Sequence, residues 1–199
     1  MAIRSLTQKG LVLNRGELEF SGTTNEAVKK YVNINLKPNS SKNKREWGRG
    51  VHTKIRKVQL LNYEKIPTAQ YKSGESAYLR IEFDTDGQAG MSLEIFLADS
   101  FRNRLGMASL YQFHGKSLPS KPGTYEVNLE MQPQWLASGR YSVDVTTSAI
   151  NVGWDHFVDT AIEFEVPYSN PTNRDYDFKQ NYGFGSFAIL LNSIHINKH

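Results

Sequence analysis

From residue 77 to residue 147 the chain writes one pattern four times: apolar and polar side chains in alternation. Ala77, Leu79, Ile81 and Phe83 alternate with Tyr78, Arg80 and Glu82. Met91, Leu93, Ile95 and Leu97 alternate with Ser92, Glu94, Phe96 and Ala98. Tyr125, Val127, Leu129 and Met131 alternate with Glu126, Asn128 and Glu130, and Tyr141, Val143, Val145 and Thr147 with Ser142, Asp144 and Thr146. A period of two gives each segment one apolar face and one polar face, the mark of half-buried strands. No part of residues 51–199 keeps a helical period for three turns. Less regular strands are expected at 54–63, 105–113, 161–166 and 187–196. Between the segments lie turn signals: Lys72-Ser73-Gly74-Glu75, Thr85-Asp86-Gly87, Lys121-Pro122-Gly123 and Ser138-Gly139-Arg140. Two antiparallel sheets that bury their apolar faces against each other make a β-sandwich of about eight strands.

Composition narrows the class. The chain has 199 residues with 10 Tyr, 10 Phe and 3 Trp, enough large side chains for one real core and too many for a disordered polymer. It has no Cys, which removes disulfides, thiolate metal sites and a cysteine nucleophile. The first residues, Met-Ala-Ile-Arg-Ser-Leu-Thr, carry no apolar run of the kind a secretory leader needs, so the cytoplasm is the expected compartment. The net charge of +4 is unevenly placed. Residues 37–50 hold Lys37, Lys42, Lys44, Arg45 and Arg49 against Glu46 alone, whereas residues 51–199 carry slightly more acid than base. Without a basic stripe on the body, nucleic acid is not an expected partner.

The chain reads in three parts. Residues 1–36 contain two short strand signals around the turn Asn14-Arg15-Gly16, then Thr23 or Thr24 as a helix cap, an early Glu26 and late Lys29 and Lys30. So short a piece cannot bury a core alone. Residues 37–50, polar and like-charged, read as a basic linker in which Trp47 is the odd member, and residues 51–199 are the sandwich. The connection 167–185 is long for a compact domain and precedes an apolar terminal strand, an arrangement that suits strand exchange between two subunits.

No catalytic constellation is visible. There is no Gly-x-x-x-x-Gly-Lys-Ser/Thr loop, no Gly-x-Ser-x-Gly elbow and no His-Glu-x-x-His pair, and no cofactor or metal is expected. In Trp154-Asp155-His156, a strand would point Asp155 and His156 to opposite faces. The polar strand faces say more. Sugars offer hydroxyls beside apolar C–H faces, and a site for them sets flat aromatics among planar donors and acceptors. Tyr78, Arg80, Glu94, Phe96, Tyr111 and His114 fit that description and are expected to share one shallow groove, with Arg102, Arg104 and Trp154 as second candidates; Asp144 and Gln112 are further hydrogen-bonding groups on the polar strand faces. On a simple register Tyr78, Arg80, Glu94 and Phe96 all face away from the apolar side of their strands. The competing reading is that such aromatics only cap core edges, and that the two arginines are either an anion grip or simply solvated.

Residues 11–31, Leu-Val-Leu-Asn-Arg-Gly-Glu-Leu-Glu-Phe-Ser-Gly-Thr-Thr-Asn-Glu-Ala-Val-Lys-Lys-Tyr, resemble the tail of an ABC-transporter ATP-binding domain: a strand pair with two spaced glycines, then a closing helix of the type Thr-x-Glu-Ala-Val-x-x-Tyr. The residues that carry ATP chemistry in that family would lie upstream, so this chain is expected not to hydrolyse ATP. Behind that tail, Gly74-Glu75-Ser-Ala-Tyr-Leu-Arg-Ile-Glu-Phe83, Pro122-Gly-Thr-Tyr-Glu-Val127 and Ser138-Gly-Arg-Tyr-Ser-Val-Asp-Val145 make residues 51–199 resemble the C-terminal domain of the ATP-binding subunit of polysaccharide ABC exporters, called Wzt in O-antigen systems. The resemblance implies an Ig-like sandwich that dimerises by exchanging its last strand. It also implies a pocket for the modified non-reducing end of an exported polysaccharide, and a membrane permease as partner of the parent protein. A module that only dimerises or regulates the ATPase is the alternative, and a glycan-modifying enzyme is a third reading without an acid–base constellation to support it.

Overall fold

The computed structural model describes residues 7–14, 16–24, 26–27, 30, 45–100, 102–172, 176–180 and 185–191. The chain divides into two compact units, Met1–Ser40 and Ser41–His199.

In the first unit, β1 (Lys9–Asn14) and β2 (Glu17–Thr23) pair as an antiparallel hairpin. Thr23 then caps a helical stretch in which Thr24, Glu26, Ala27 and Lys30 are helical. The Glu26 carboxylate accepts from the Thr23 backbone N–H at 3.1 Å and from the Thr23 hydroxyl, while the Glu26 N–H reaches back to the Thr23 oxygen. This is the reciprocal arrangement of a capping box.

The second unit is an antiparallel β-sandwich. Its strands are β3 (Arg45–Trp47), β4 (Thr53–Leu61), β5 (Ala77–Thr85), β6 (Met91–Asp99), β7 (Arg104–Ser109), β8 (Gly123–Met131), β9 (Gly139–Ala149) and β10 (Gly153–Val166). One sheet runs β3-β10-β9-β6-β7 and the other β4-β5-β8. The alternation determines what faces inward: Leu79, Ile81 and Phe83 from the smaller sheet meet Leu93, Val143, Val145 and Phe164 from the larger in one core. Tyr141 stacks on Phe164 at 5.5 Å between ring centres, and its hydroxyl donates to the Ala137 carbonyl at 2.8 Å, four residues upstream. Burial raises the Tyr141 phenol well above its ordinary pKa, so it stays a neutral donor.

Among the described residues the sandwich has eight strands, as many as expected, but the membership differs. Arg45–Trp47, expected as linker, pairs with Phe157–Asp159 as an edge strand of the larger sheet. The strand expected at 105–113 stops at Ser109 and turns into α1 (Leu110–His114). Ser109 caps that helix by accepting from the Gln112 N–H, and Gly115 ends it in the left-handed conformation, φ 62°. The expected last strand, 187–196, is represented among the described residues only by an isolated bridge between Phe187 and Leu136; residues 192–196 lie outside them. The described part of 167–185 packs back on the sandwich: Phe178 is buried, and its carbonyl accepts from the Ser138 N–H at 2.7 Å.

Candidate functional site

Alternation on β6 and β9 sends one set of side chains into the core and the other onto the outer face of the five-stranded sheet. On an exposed face the second set would be solvated. Here Ser92, Glu94, Phe96, Ser142, Asp144 and Thr146 are each at most 9% exposed. The pairing registers arrange them in rows across β7, β6, β9 and β10. Ser92 lies opposite Ser148, which lies opposite Trp154. In the next row come Ser109, Glu94, Thr146 and Phe157, and then Met107, Phe96 and Asp144. Neighbours within a row stand at cross-strand contact distance, and successive rows lie about 7 Å apart along the strands.

Each row has its own chemistry. Glu94 accepts from the Ser148 hydroxyl at 2.9 Å and makes a longer contact, 3.5 Å, with the Ser109 hydroxyl. Among the described residues no cation pairs with it, so it lies nearly buried with hydroxyls as its partners. Trp154 is 60% exposed and stacks on Phe157 at 5.2 Å, an aromatic surface open to solvent beside Ser148. The Arg104 guanidinium lies 4.2 Å above the Phe96 ring, which is why Phe96 is covered on an outward face. Arg102 has the opposite character. Its guanidinium donates to the Ser142 hydroxyl at 2.7 Å, to Asp144 at 3.0 Å and to Asp159. With two carboxylates around it, Arg102 is ion-paired and so not a free anion grip, although its side chain stays partly exposed. Asp144 also accepts the Thr160 N–H at 2.9 Å. At the other end of the face the Tyr111 N–H donates to the Ser92 hydroxyl at 3.3 Å, bringing the start of α1 to that end; His114 is exposed in the last turn of α1.

The six residues expected in one groove therefore do not share a surface. Glu94, Phe96 and Tyr111 belong to the five-stranded side, and Arg102, Arg104 and Trp154 join them there. Tyr78 and Arg80 face out from β5 in the other sheet, because each sheet of a sandwich turns its polar side away from the common core. They line a shallow groove with Leu61, Lys65, Asn128 and Glu130. There the Lys65 ammonium sits 5.2 Å from the Tyr78 ring centre, and Arg80 contacts Asn128 at 3.3 Å and Glu126 at 3.5 Å. The flanking ion pairs Arg56–Asp84 and Lys57–Glu82 make this a charge-paired outer surface. Ser109, Ser148, Phe157 and Asp159 were not expected in the site. Ser148 continues the outward alternation of β9, which is a readable signal; the others depend on strand pairing.

Beside the face, β10 carries a bulge between Trp154 and His156. The bulge overturns the expectation that Asp155 and His156 point to opposite sides, since both address the start of β4. The Asp155 carboxylate accepts the N–H groups of Val51 at 2.8 Å, His52 at 3.2 Å and Thr53 at 2.7 Å, and the Thr53 hydroxyl at 2.6 Å. His156 Nδ1 accepts the Ile55 N–H at 3.1 Å. Burial opposes ionisation of Asp155, but the Thr53, His52 and Val51 donors outweigh it and hold its pKa below the ordinary carboxylate value. Gly48, at φ 86°, brings its Cα so close to the Asp155 carbonyl that a Cβ would stand 2.4 Å from that oxygen. Among the described residues no cluster of His, Asp and Glu has the arrangement to hold a metal ion, and no helix is long and apolar enough to cross a membrane.

Comparison with known proteins gives the family and the fold. The family described as "Wzt C-terminal domain" matches residues 43–181. Among solved structures, the C-terminal domain of Wzt aligns over 84% of this chain and 96% of its own length, at a TM-score of 0.63 and 14% identity, which is a likeness of fold. A putative beta-galactosidase from Bacteroides fragilis aligns over 51% of this chain and 15% of its own at 20% identity, with a TM-score of 0.33 too low to carry an argument. No curated protein matches the chain.

Proposed function

The chain belongs to the Wzt C-terminal domain family, and from that premise we propose that its sandwich is a non-catalytic glycan-recognition domain whose site is the outer face of the five-stranded sheet. The observation that carries the reading is the pairing of a hydroxyl-lined, nearly buried Glu94 with the open Trp154–Phe157 stack on one face. Glu94 offers acceptor lone pairs and the serines offer both donors and acceptors to sugar hydroxyls, while Trp154 offers a flat platform to the C–H side of a ring. Phe96, Arg104 and Tyr111 border the same surface. Tyr78, Arg80 and His114 stand apart from it and are assigned no part in the primary site. In its cellular setting the domain recognises the modified non-reducing end of a surface polysaccharide on the cytoplasmic side of the inner membrane. It thereby commits the chain to an ABC exporter, in company with the ATPase and permease parts of that machine.

Trp154→Ala is expected to weaken binding of the native polysaccharide by about 1–3 kcal/mol, roughly 5- to 150-fold, with little change in thermal stability, because the ring is exposed. Isothermal titration of wild type and variant measures it. Equal affinities at an unchanged melting temperature would remove Trp154 from the site.

A second role, dimerisation, draws on a different observation. Tyr125, Val127, Leu129 and Met131 on edge strand β8 are only half-buried, as are Leu97, Leu105 and Leu110 on the β6–β7 side of the same core. The core is thus incompletely covered along that edge, which suits an added apolar strand. We assign that strand to the C-terminal segment of a second copy. Deleting residues 186–199 is expected to convert a dimer to monomer or aggregate in sedimentation, and an unchanged stable dimer would reject the assignment.

A further inference from the structure

We propose that Arg102 is a specificity-determining bar: it closes one end of the polar face, so that the face takes the end of a glycan chain and not an internal stretch. The inference rests on the glycan reading above and adds the residue that makes the site one-ended.

Arg102 sits in the turn that joins β6 to β7, outside both strands. The turn is built to hold it there. Asp99 accepts the Asn103 N–H at 2.9 Å and the Asn103 side-chain amide at 3.0 Å, and the Arg102 N–H donates to the Asp99 carbonyl at 3.0 Å. Arg102 itself occupies the left-handed region, φ 66°, which side chains other than glycine and asparagine rarely adopt. It is the left-handed third position of a three-residue hairpin loop, which the Asp99 N–H closes by donating to the Asn103 carbonyl at 3.0 Å.

From this turn the side chain runs back over the sheet. It meets Ser142 and Asp144 on β9 and then Asp159 on β10. Arg104 extends the same barrier in the other direction, because its guanidinium covers Phe96 on β6 from its place on β7. The two arginines together cross β7, β6, β9 and β10, transverse to the strands. The Arg102 side chain is 43% exposed, so it stands as a wall on the face. Its charge is already met by Asp144 and Asp159, so a ligand gains little from pulling it away and the wall is closed at rest. At the opposite end α1 reaches Ser92, and beyond it, at Ser148 and Trp154, no such crossing lies among the described residues. A polymer lying in a groove open at both ends contacts the protein anywhere along its length. A face barred across its strands at one end stops a polymer that runs along those strands, so such a polymer meets the bar only by a terminus.

The discriminating quantity is how many proteins load onto one polymer as the polymer lengthens. The experiment uses the full chain and fractions of defined length of the surface polysaccharide from the source cells, with stoichiometry from sedimentation velocity. Arg102→Gly is the main variant, because glycine accepts φ 66° without strain and leaves the turn in place. Asp159→Asn, which keeps the arginine but removes the charge of its partner on β10, is the second. For wild type the expected loading is constant with polymer length, one binding unit per chain. For Arg102→Gly loading is expected to rise with length, at least twofold between the shortest and longest fractions, with Asp159→Asn between the two. Wild-type loading that grows with length overturns the bar, as does a folded Arg102→Gly together with Asp159→Asn that both load as wild type does. Failure of wild type to bind any fraction overturns the glycan reading itself.

Discussion

Replacing Asp155 by alanine is expected to destabilise the sandwich by about 3 kcal/mol, a loss of roughly 6–12 °C in melting temperature for a domain of this size. Four donors converge on that carboxylate. The cost is unequal among them. Val51 is exposed and His52 half-exposed, so water replaces the acceptor for their N–H groups. Thr53 is 2% exposed, and its N–H has no such recourse; its hydroxyl retains only the Thr147 hydroxyl at 2.5 Å. A buried donor stripped of its acceptor bears the full desolvation penalty. The effect also carries a pH signature. The folded-state pKa of Asp155 lies below its unfolded value. The stabilisation is therefore fully present above the ordinary carboxylate value of about 3.9 and is lost as pH falls through the depressed folded value. Urea denaturation of wild type and Asp155→Asn from pH 7 to pH 2 should show two stability curves that converge at the acid end. Parallel curves would mean that the ionised carboxylate contributes nothing specific.

Asp144→Ala is the second large effect, about 2–3 kcal/mol, and it has a partial remedy. Removing the carboxylate leaves the Thr160 N–H without its acceptor and Arg102 without one of its two anions. The half-exposed arginine is solvated in compensation, so the loss falls short of a fully buried pair. Thr160 is a β-branched residue held at φ 52°, a conformation its side chain disfavours. In wild type the Asp144 bond helps to hold it there. Thr160 lies in a second irregularity of β10, between Val158 and Ile162; once the Asp144 bond is gone, Thr160→Gly should return about 1 kcal/mol, because glycine accepts the geometry of that bulge without strain. A double-mutant cycle by chemical denaturation reads the coupling. Strict additivity of Asp144→Ala and Thr160→Gly would show that the carboxylate does not sustain the strained bulge.

The sandwich was legible because alternation is a local property. Leu79, Ile81 and Phe83, or Val143 and Val145, face inward wherever their strands end up, since a period of two admits no other assignment once one face is buried. The hairpin and capped helix before Lys30 were legible for the same reason: Thr23 and Glu26 meet across three residues. Where a short segment diverged from its pattern, a cap decided it. Leu110, Phe113 and their neighbours suit a strand or a helix, and the Ser109 side chain with the left-handed Gly115 closes one helical turn.

Alternation identified Glu94, Phe96, Tyr78 and Arg80 as outward-facing and could go no further, because facing outward from a strand does not say from which sheet. Strand order makes that choice: β6 lies between β9 and β7, and β5 between β4 and β8, so the two pairs of residues look in opposite directions. The same order brings Asp144 beside Phe96 and, through the bulge, turns Asp155 toward residues 51–53. It also puts Arg102, in a turn between two strands, over a carboxylate on a third and another on a fourth. Each of these is a contact between residues 42 to 104 positions apart. Local periodicity constrains the two faces of each strand, whereas the burial of a common core selects which strands become neighbours, and only that selection assembles a site.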